Sequence, residues 1–328
     1  MPIVYFRITA RGSPRASRAP SLERLLARAD RRSRVAAWRA EAFRTIASDS
    51  AEHPPPIGVA QWRASGHTGH RGWVALATPV HLIAGMSNVH LPDDGILEID
   101  PSEADTLVAD FNRTFGGGGG RLVRGLKSTL LCVFDAPLAA ETTPPEEALG
   151  GDVWAHQPRG EGSRELRRLA TEIEMWLFDH EVNAARRARG VPVISALWLW
   201  GGGAGDTPLP DVTGWTAGDD DLFSAYDHRS QYPAAGDLTA GGAGPSRSGV
   251  VVLSTWPGTS AWAENEQRWL NPALDDLKAG RLSRIEISAA AISFRVSARG
   301  LRRFWRRSPP WWESFGIATA EEGNPLGD

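Results

Sequence analysis

The sequence predicts a mixed α/β fold, a sheet with helices against it, and three observations predict it. First, strand-like and helix-like apolar patterns alternate between Trp62 and Phe134. Second, an amphipathic stretch from Ser163 to Arg189 breaks at Gly190 and Pro192. It leads into an apolar run, Val193 to Trp200, that ends in Gly201, Gly202 and Gly203. Third, the chain beyond a Gly/Ser/Pro stretch at Thr239 to Ser248 reads as strand, helix and two closing antiparallel strands.

In chain order, Ile3 to Ile8 reads as a short strand and Arg11 to Pro20 as a basic loop. Ser21 to Ile46 reads as one helix, with Ser21 as its N-cap and Leu22, Leu25, Leu26 and Ala29 on one face. Prolines 54, 55 and 56 stop it. Trp73 to His81 and Asn88 to Leu91 read as strands, Pro101 to Phe115 as a helix and Leu126 to Phe134 as a strand. Gly116 to Gly120 follows a helix and precedes a strand. A phosphate loop needs the reverse order, so this tract reads as a flexible turn. Ala136 to Gly151 is a Pro/Glu-rich connector. In Ser163 to Arg189, Leu166, Leu169, Ala170, Ile173, Trp176 and Leu177 recur at helical spacing. Leu222 to Tyr226 starts a further helix capped by Asp221. Val250 to Thr255 is a strand, Ser260 to Ala279 a helix, and Leu282 to Ser288 pairs with Ala291 to Val296.

These elements divide the chain into five parts. Residues 1–60 pack a strand and helix on the core, and 61–150 form an α+β subdomain. Residues 151–240 carry the helix, strand and glycine turn, 249–307 form a β-α-β-hairpin, and 308–328 form a flexible tail.

The 328 residues are 41% hydrophobic, enough for a large core. The net charge of −3 argues against a dedicated nucleic-acid binder. A single cysteine, Cys132, excludes an internal disulfide framework, and its apolar neighbours predict a buried thiol. The first residues hold too short an apolar run for a signal peptide, and no later run is long enough to span a bilayer. A cytoplasmic protein without a membrane partner is therefore expected.

Several polar groups are candidates for function. Ile173, Leu177 and His180 share a helical stripe that continues through Asn183, Ala184 and Arg187. There a His, an Asn and an Arg could meet an anionic ligand beside Gly201, Gly202 and Gly203, whose amides could form an anion nest. The same residues could instead cap helix ends, and the glycines could form a plain turn. His67 and His70 have metal-sharing spacing but no third ligand nearby. Asp219, Asp220, Asp221, Asp227 and His228 offer oxygen ligands for Mg or Mn, or else a solvated loop with an N-cap. Arg295, Arg299, Arg302, Arg303, Arg306 and Arg307 surround Trp305, as in single-strand binders or in a surface hairpin paired with acids.

The stretch Glu172 to Gly203 resembles a segment of the archaeal-type, cofactor-independent phosphoglycerate mutases. His180, Val182, Asn183, Arg186 or Arg187, Gly190, Trp198, Gly201 and Gly203 match that pattern in order. Glu181 stands where the family has Pro, and Ile194-Ser195 where it has Ala-Asn. Most of the chain also resembles bacterial RpfE-type regulatory proteins. The matching features are Thr78-Pro79-Val80-His81-Leu82, the Leu22 to Ala29 helix, Trp269 to Leu282, and the run Arg302 to Arg307.

The resemblance implies a diverged alkaline-phosphatase-like core with a smaller α+β domain. It also implies phosphoryl transfer through a serine and two metal ions, Mn or Mg, held by Asp and His. In that family an Asp follows the first strand, yet Arg7 to Ala29 contains none, and no histidine lies beyond His228. The expectation is a mutase-like protein that has diverged from catalysis, a regulatory or phospho-metabolite-binding protein. The alternatives are an active metal-dependent mutase, with Asp219, Asp221, Asp227 and His228 as metal candidates, and an interaction protein using the Arg/Trp-rich C-terminus.

Overall fold

The computed structural model describes residues 2–11, 14–32, 37–48, 53–86, 88–233 and 247–319. In chain order the first elements are β1 (Ile3–Ile8), α1 (Pro20–Arg28), β2 (Asp30–Arg32), α2 (Trp38–Ile46) and α3 (Ile57–Ala64). Then come β3 (Trp73–Val80), β4 (Ile83–Ala84), β5 (Val89–Leu91), α4 (Pro101–Phe115), β6 (Gly120–Arg124), β7 (Leu130–Phe134) and β8 (Gly151–Asp152). They are followed by α5 (Ser163–Phe178), α6 (Glu181–Ala188), β9 (Ala196–Ala204), β10 (Trp215–Gly218) and β11 (Gly249–Leu253). Helices Ser260–Asn265 and Asn271–Lys278, strands β12 (Arg284–Ala289) and β13 (Ile292–Ser297), and the helix Trp311–Phe315 complete the chain. The fold is mixed α/β.

The chain forms two compact units. One joins Met1–Pro54 to Pro210–Asp328, and the other is Pro55–Leu209. This division crosses the sequence-predicted segments. Residues 61–150 and 151–240 contribute β3 and β9, which are neighbours in one sheet.

In the first unit, the described residues form a six-stranded sheet in the order β10-β11-β1-β12-β13-β2. Strands β10, β11, β1 and β12 are parallel, and β13 and β2 run antiparallel to their neighbours. Val250, Val251, Val252, Val4, Phe6, Ile285 and Ile287 are buried, the apolar continuity of parallel strands covered on both faces. β13 follows β12 through Ala290, and its register pairs Ile287 with Phe294.

The predicted helix Ser21–Ile46 is two helices with a strand between them. α1 starts with Pro20 in its first turn and ends where Ala29 turns extended. Asp30, Arg31 and Arg32 offer no apolar face to bury, and they form an exposed strand against β13 instead. The tail also differs from expectation: Trp311 and Phe315 sit in the core, with Phe315 edge-on to Phe294. Residues 320–328, and most of the predicted linker Thr239–Ser248, lie outside the described residues.

In the second unit, an antiparallel sheet has the order β6-β7-β3-β9, with a small sheet β4-β5-β8 beside it. Leu107 and Phe111 of α4 and Leu166, Ile173 and Leu177 of α5 pack with Ala75, Ala77 and Cys132 of the sheet. α4 has a complete capping box between Asp100 and Glu103 and a proline in its first turn. Cys132 is buried as predicted, and burial pushes its thiol up to about 12. The predicted helix Ser163–Arg189 breaks at Asp179–His180, where His180 turns extended and caps α6.

Candidate functional site

The α5–α6 junction gathers the polar residues singled out in the sequence, and nearly all of them are spent on the fold. His180 Nδ1 accepts a hydrogen bond from the amide of Val182 at 3.2 Å. Its Nε2 lies 3.3 Å from Asp110 Oδ2, and Trp176 meets the ring edge-to-face. Burial pushes the His180 pKa below its ordinary value, against the upward pull of Asp110. The Nδ1 that accepts the Val182 amide carries no proton.

Asn183, 2% exposed, donates through Nδ2 to the carbonyls of Leu177 and Ile194 and accepts through Oδ1 from the Ile194 amide. It ties the end of α5 to the approach of β9. Arg187 is exposed. Its neighbour Arg186 is the buried one. Arg186 donates to Pro192 O at 2.7 Å and to Glu103 Oε2 at 2.7 Å, and Arg189 also bonds the Glu103 carboxylate. The sequence offers Arg186 only as the alternative to Arg187 in the mutase pattern, and it does not single out Glu103 or the pairing. Its one local signal is the Asp100–Glu103 capping spacing, which marks Glu103 but does not name the second partner.

The glycines do not follow the strand but extend it. Gly201, Gly202 and Gly203 belong to β9, and β3 pairs along them with a bulge between Val74 and Leu76. A Cβ on Gly202 would fall 1.9 Å from the Trp73 ring, and one on Gly203 would fall 2.4 Å from Pro56. The Gly201 amide donates to Thr142 Oγ1. The glycines thus admit Trp73 and Pro56, and the run lies in a paired strand, neither the open nest nor the plain turn weighed from the sequence.

The second candidate lies at the carboxyl ends of the parallel strands, the edge at which open α/β sheets bind ligands. Thr9 follows β1, Asp219 follows β10, Ser254 follows β11 and Ala290 follows β12. Ser254 Oγ donates to Asp219 Oδ2 at 2.8 Å, and both residues are exposed. Arg7 reaches this edge and donates to Ala290 O at 2.9 Å. Its guanidinium lies over the Trp38 ring at 5.1 Å.

The acidic cluster does not converge on a metal. Asp220 Oδ1 caps the turn at Leu222 and Phe223, the role predicted for Asp221, and Oδ2 accepts from Arg39 at 2.9 Å. Asp227 is bonded by Arg229 and Arg247. Burial pushes its carboxyl up, but these two arginines outweigh burial and hold it below the usual range. His228 bridges backbone to Thr216. His67 stacks on Trp62, and His70 Nε2 lies 2.8 Å from Phe134 O. Among the described residues, no group of three or more His, Cys, Asp or Glu side chains could hold a metal ion. The donors among the described residues do not fit a two-metal centre, which needs carboxylates and imidazoles converging on one point. Among the described residues, no helix is long and apolar enough to cross a membrane.

No known family model matches the chain. It is 31% identical over 94 residues to a 2,3-bisphosphoglycerate-independent phosphoglycerate mutase of Methanothrix thermoacetophila, a match covering 29% of this chain and 23% of that enzyme. Two solved structures align over 90% of the chain. A cofactor-independent phosphoglycerate mutase from Thermoplasma acidophilum does so at 14% identity and TM-score 0.36, with 89% of it covered. The PH0037 protein from Pyrococcus horikoshii does so at 13% identity and TM-score 0.45, with 87% covered. Both structural likenesses are too loose to carry a functional argument. The chain is thus similar to a phosphoglycerate mutase over less than a third of its length, and the match spans under a quarter of that relative.

Proposed function

We propose that the chain is a phosphoglycerate-mutase-like protein diverged from two-metal catalysis, acting as a regulatory or phospho-metabolite-binding protein. The supporting observation is the carboxyl edge of the parallel strands, where Thr9, Ser254 and Ala290 occupy three of the four strand ends and Asp219 is hydrogen-bonded to a serine. A two-metal phosphoryl transfer needs anionic ligands on several of these ends at once. Mn or Mg is the cofactor class the mutase resemblance implies, and the donors at these strand ends do not fit a pair of such ions. Of the residues first singled out for ligand contact, His180, Asn183 and the three glycines act as framework. Arg187 is exposed and can meet a phosphate.

The second reading is an active Mn- or Mg-dependent mutase with rearranged ligands. Asp219 favours it, being an exposed carboxylate beside a hydroxyl at a parallel-sheet edge. Turnover of 3-phosphoglycerate in the presence of Mn, combined with calorimetric titration of the same compound, separates the two. The proposal expects binding without turnover, and binding weakened about tenfold in Arg187→Ala, on the scale of one lost charged hydrogen bond. Turnover that survives rigorous purification contradicts it and moves attention to Asp219.

A further inference from the structure

The last part of the first unit carries a surface feature unrelated to either candidate site. After β13 the chain makes a short turn at Gly300–Arg302 and meets the start of β2, through Arg303 at Asp30 and Arg306 at Ala29 O. Phe304 and Trp305 are 78% and 69% exposed, and their rings meet edge-to-face at 5.4 Å. Trp154 and Phe178 are as open, but here two such rings are adjacent and in contact.

The rings lie in a basic stretch of the chain. Arg299, Arg302, Arg306 and Arg307 are exposed, and none of the four forms an ion pair among the described residues. Arg306 donates to Ala29 O, and Arg303 bonds the Asp30 carboxylate, which ties the segment to β2. The aromatic pair is therefore tied to Ala29 and Asp30, and Arg299, Arg302 and Arg307 are exposed and outside any ion pair among the described residues.

From this geometry we infer that Phe304 and Trp305, with the arginines around them, form a contact surface for an anionic lipid bilayer. The chain needs no spanning segment for this, because the contact is made from outside. The expectation of no membrane partner rested on the lack of such a segment. Two features favour a bilayer over a nucleic-acid strand. Rings this exposed protrude, whereas a single-strand groove would cover them on its walls. They also meet at 80°, so they offer no platform of parallel faces on which successive bases could stack. An exposed aromatic pair in a stretch of exposed arginines fits the interface of a bilayer, with rings at the headgroup level and guanidinium groups on lipid phosphates. Each arginine near an anionic leaflet raises partitioning by about fivefold.

The test is co-sedimentation of the full chain with phosphatidylcholine vesicles and with vesicles containing phosphatidylserine, at low and high ionic strength. A labelled oligo-dT is titrated in parallel. The inference expects binding to the phosphatidylserine vesicles that high salt removes. It expects a loss of tenfold or more in F304A/W305A and again in R299Q/R302Q/R307Q. All five side chains are exposed, and unchanged circular dichroism checks that the variants fold. Failure to sediment with phosphatidylserine vesicles overturns the inference. So does vesicle binding that neither set of substitutions weakens, or oligo-dT binding in place of vesicle binding.

Discussion

The α5–α6 junction and the carboxyl edge of the parallel strands treat polar side chains in opposite ways. At the junction, His180, Asn183, Arg186 and Glu103 are buried and bonded to backbone or to each other. At the strand ends, Asp219 and Ser254 are exposed and bonded to one another. The first arrangement holds a helix break and a strand in place. The second leaves a carboxylate and a hydroxyl open to solvent. Polar residues on an apolar stripe are therefore a sign of structural work as often as of a ligand, and burial decides between them.

Removing parts of each region sharpens this contrast, with the largest effect at the ion pair. Glu103→Ala leaves Arg186 buried without its carboxylate, and urea denaturation should show a loss of about 3–5 kcal/mol. A loss under about 1 kcal/mol would mean that Arg186 finds other partners. Next comes Gly202→Ala, whose methyl collides with the Trp73 ring. A cost of about 1–3 kcal/mol is expected, with a shift of the indole signal in near-UV circular dichroism. An unchanged spectrum would remove the reason given for the glycine run.

His180 gives a smaller and pH-dependent effect. Its folded pKa is depressed below the ordinary 6.5, so below that value the unfolded chain binds the proton more readily. The stability tied to His180 is thus complete above about pH 6.5 and is lost as pH falls towards the lowered folded value. His180→Asn keeps an N-cap acceptor but cannot titrate. Melting temperatures compared across this window should fall less in the variant than in the parent, and parallel curves would contradict the assignment. The smallest effect is Ser254→Ala at the exposed edge, where thermal unfolding should move by no more than about 0.5 kcal/mol. A large loss there would show that the edge is structural after all.

Much of this was legible in the sequence. The α/β class, the strands β1, β3, β11, β12 and β13, and the buried Cys132 all followed from apolar patterning. Three features did not. The Asp30–Arg32 strand has no apolar residue to announce it, and only pairing with β13 defines it. The break at His180 was hidden because the i, i+3, i+4 spacing continues across it while the histidine turns from helix member to cap. The glycine run looked like a turn because the close approach of Trp73 and Pro56 is a long-range fact that no local pattern carries. The same limit applies to the choice between Arg186 and Arg187: one position on a helix separates a buried partner of Glu103 from an exposed guanidinium.

The central claim is that the strand ends of the first unit do not assemble a two-metal centre. Calorimetric titration of the metal-free protein with Mn tests it most directly, with Asp219→Asn as the comparison. The account predicts no stoichiometric binding tighter than that of a lone exposed carboxylate, and no phosphoglycerate turnover at saturating Mn. Two equivalents of Mn bound tightly, lost in Asp219→Asn and accompanied by turnover, would contradict it.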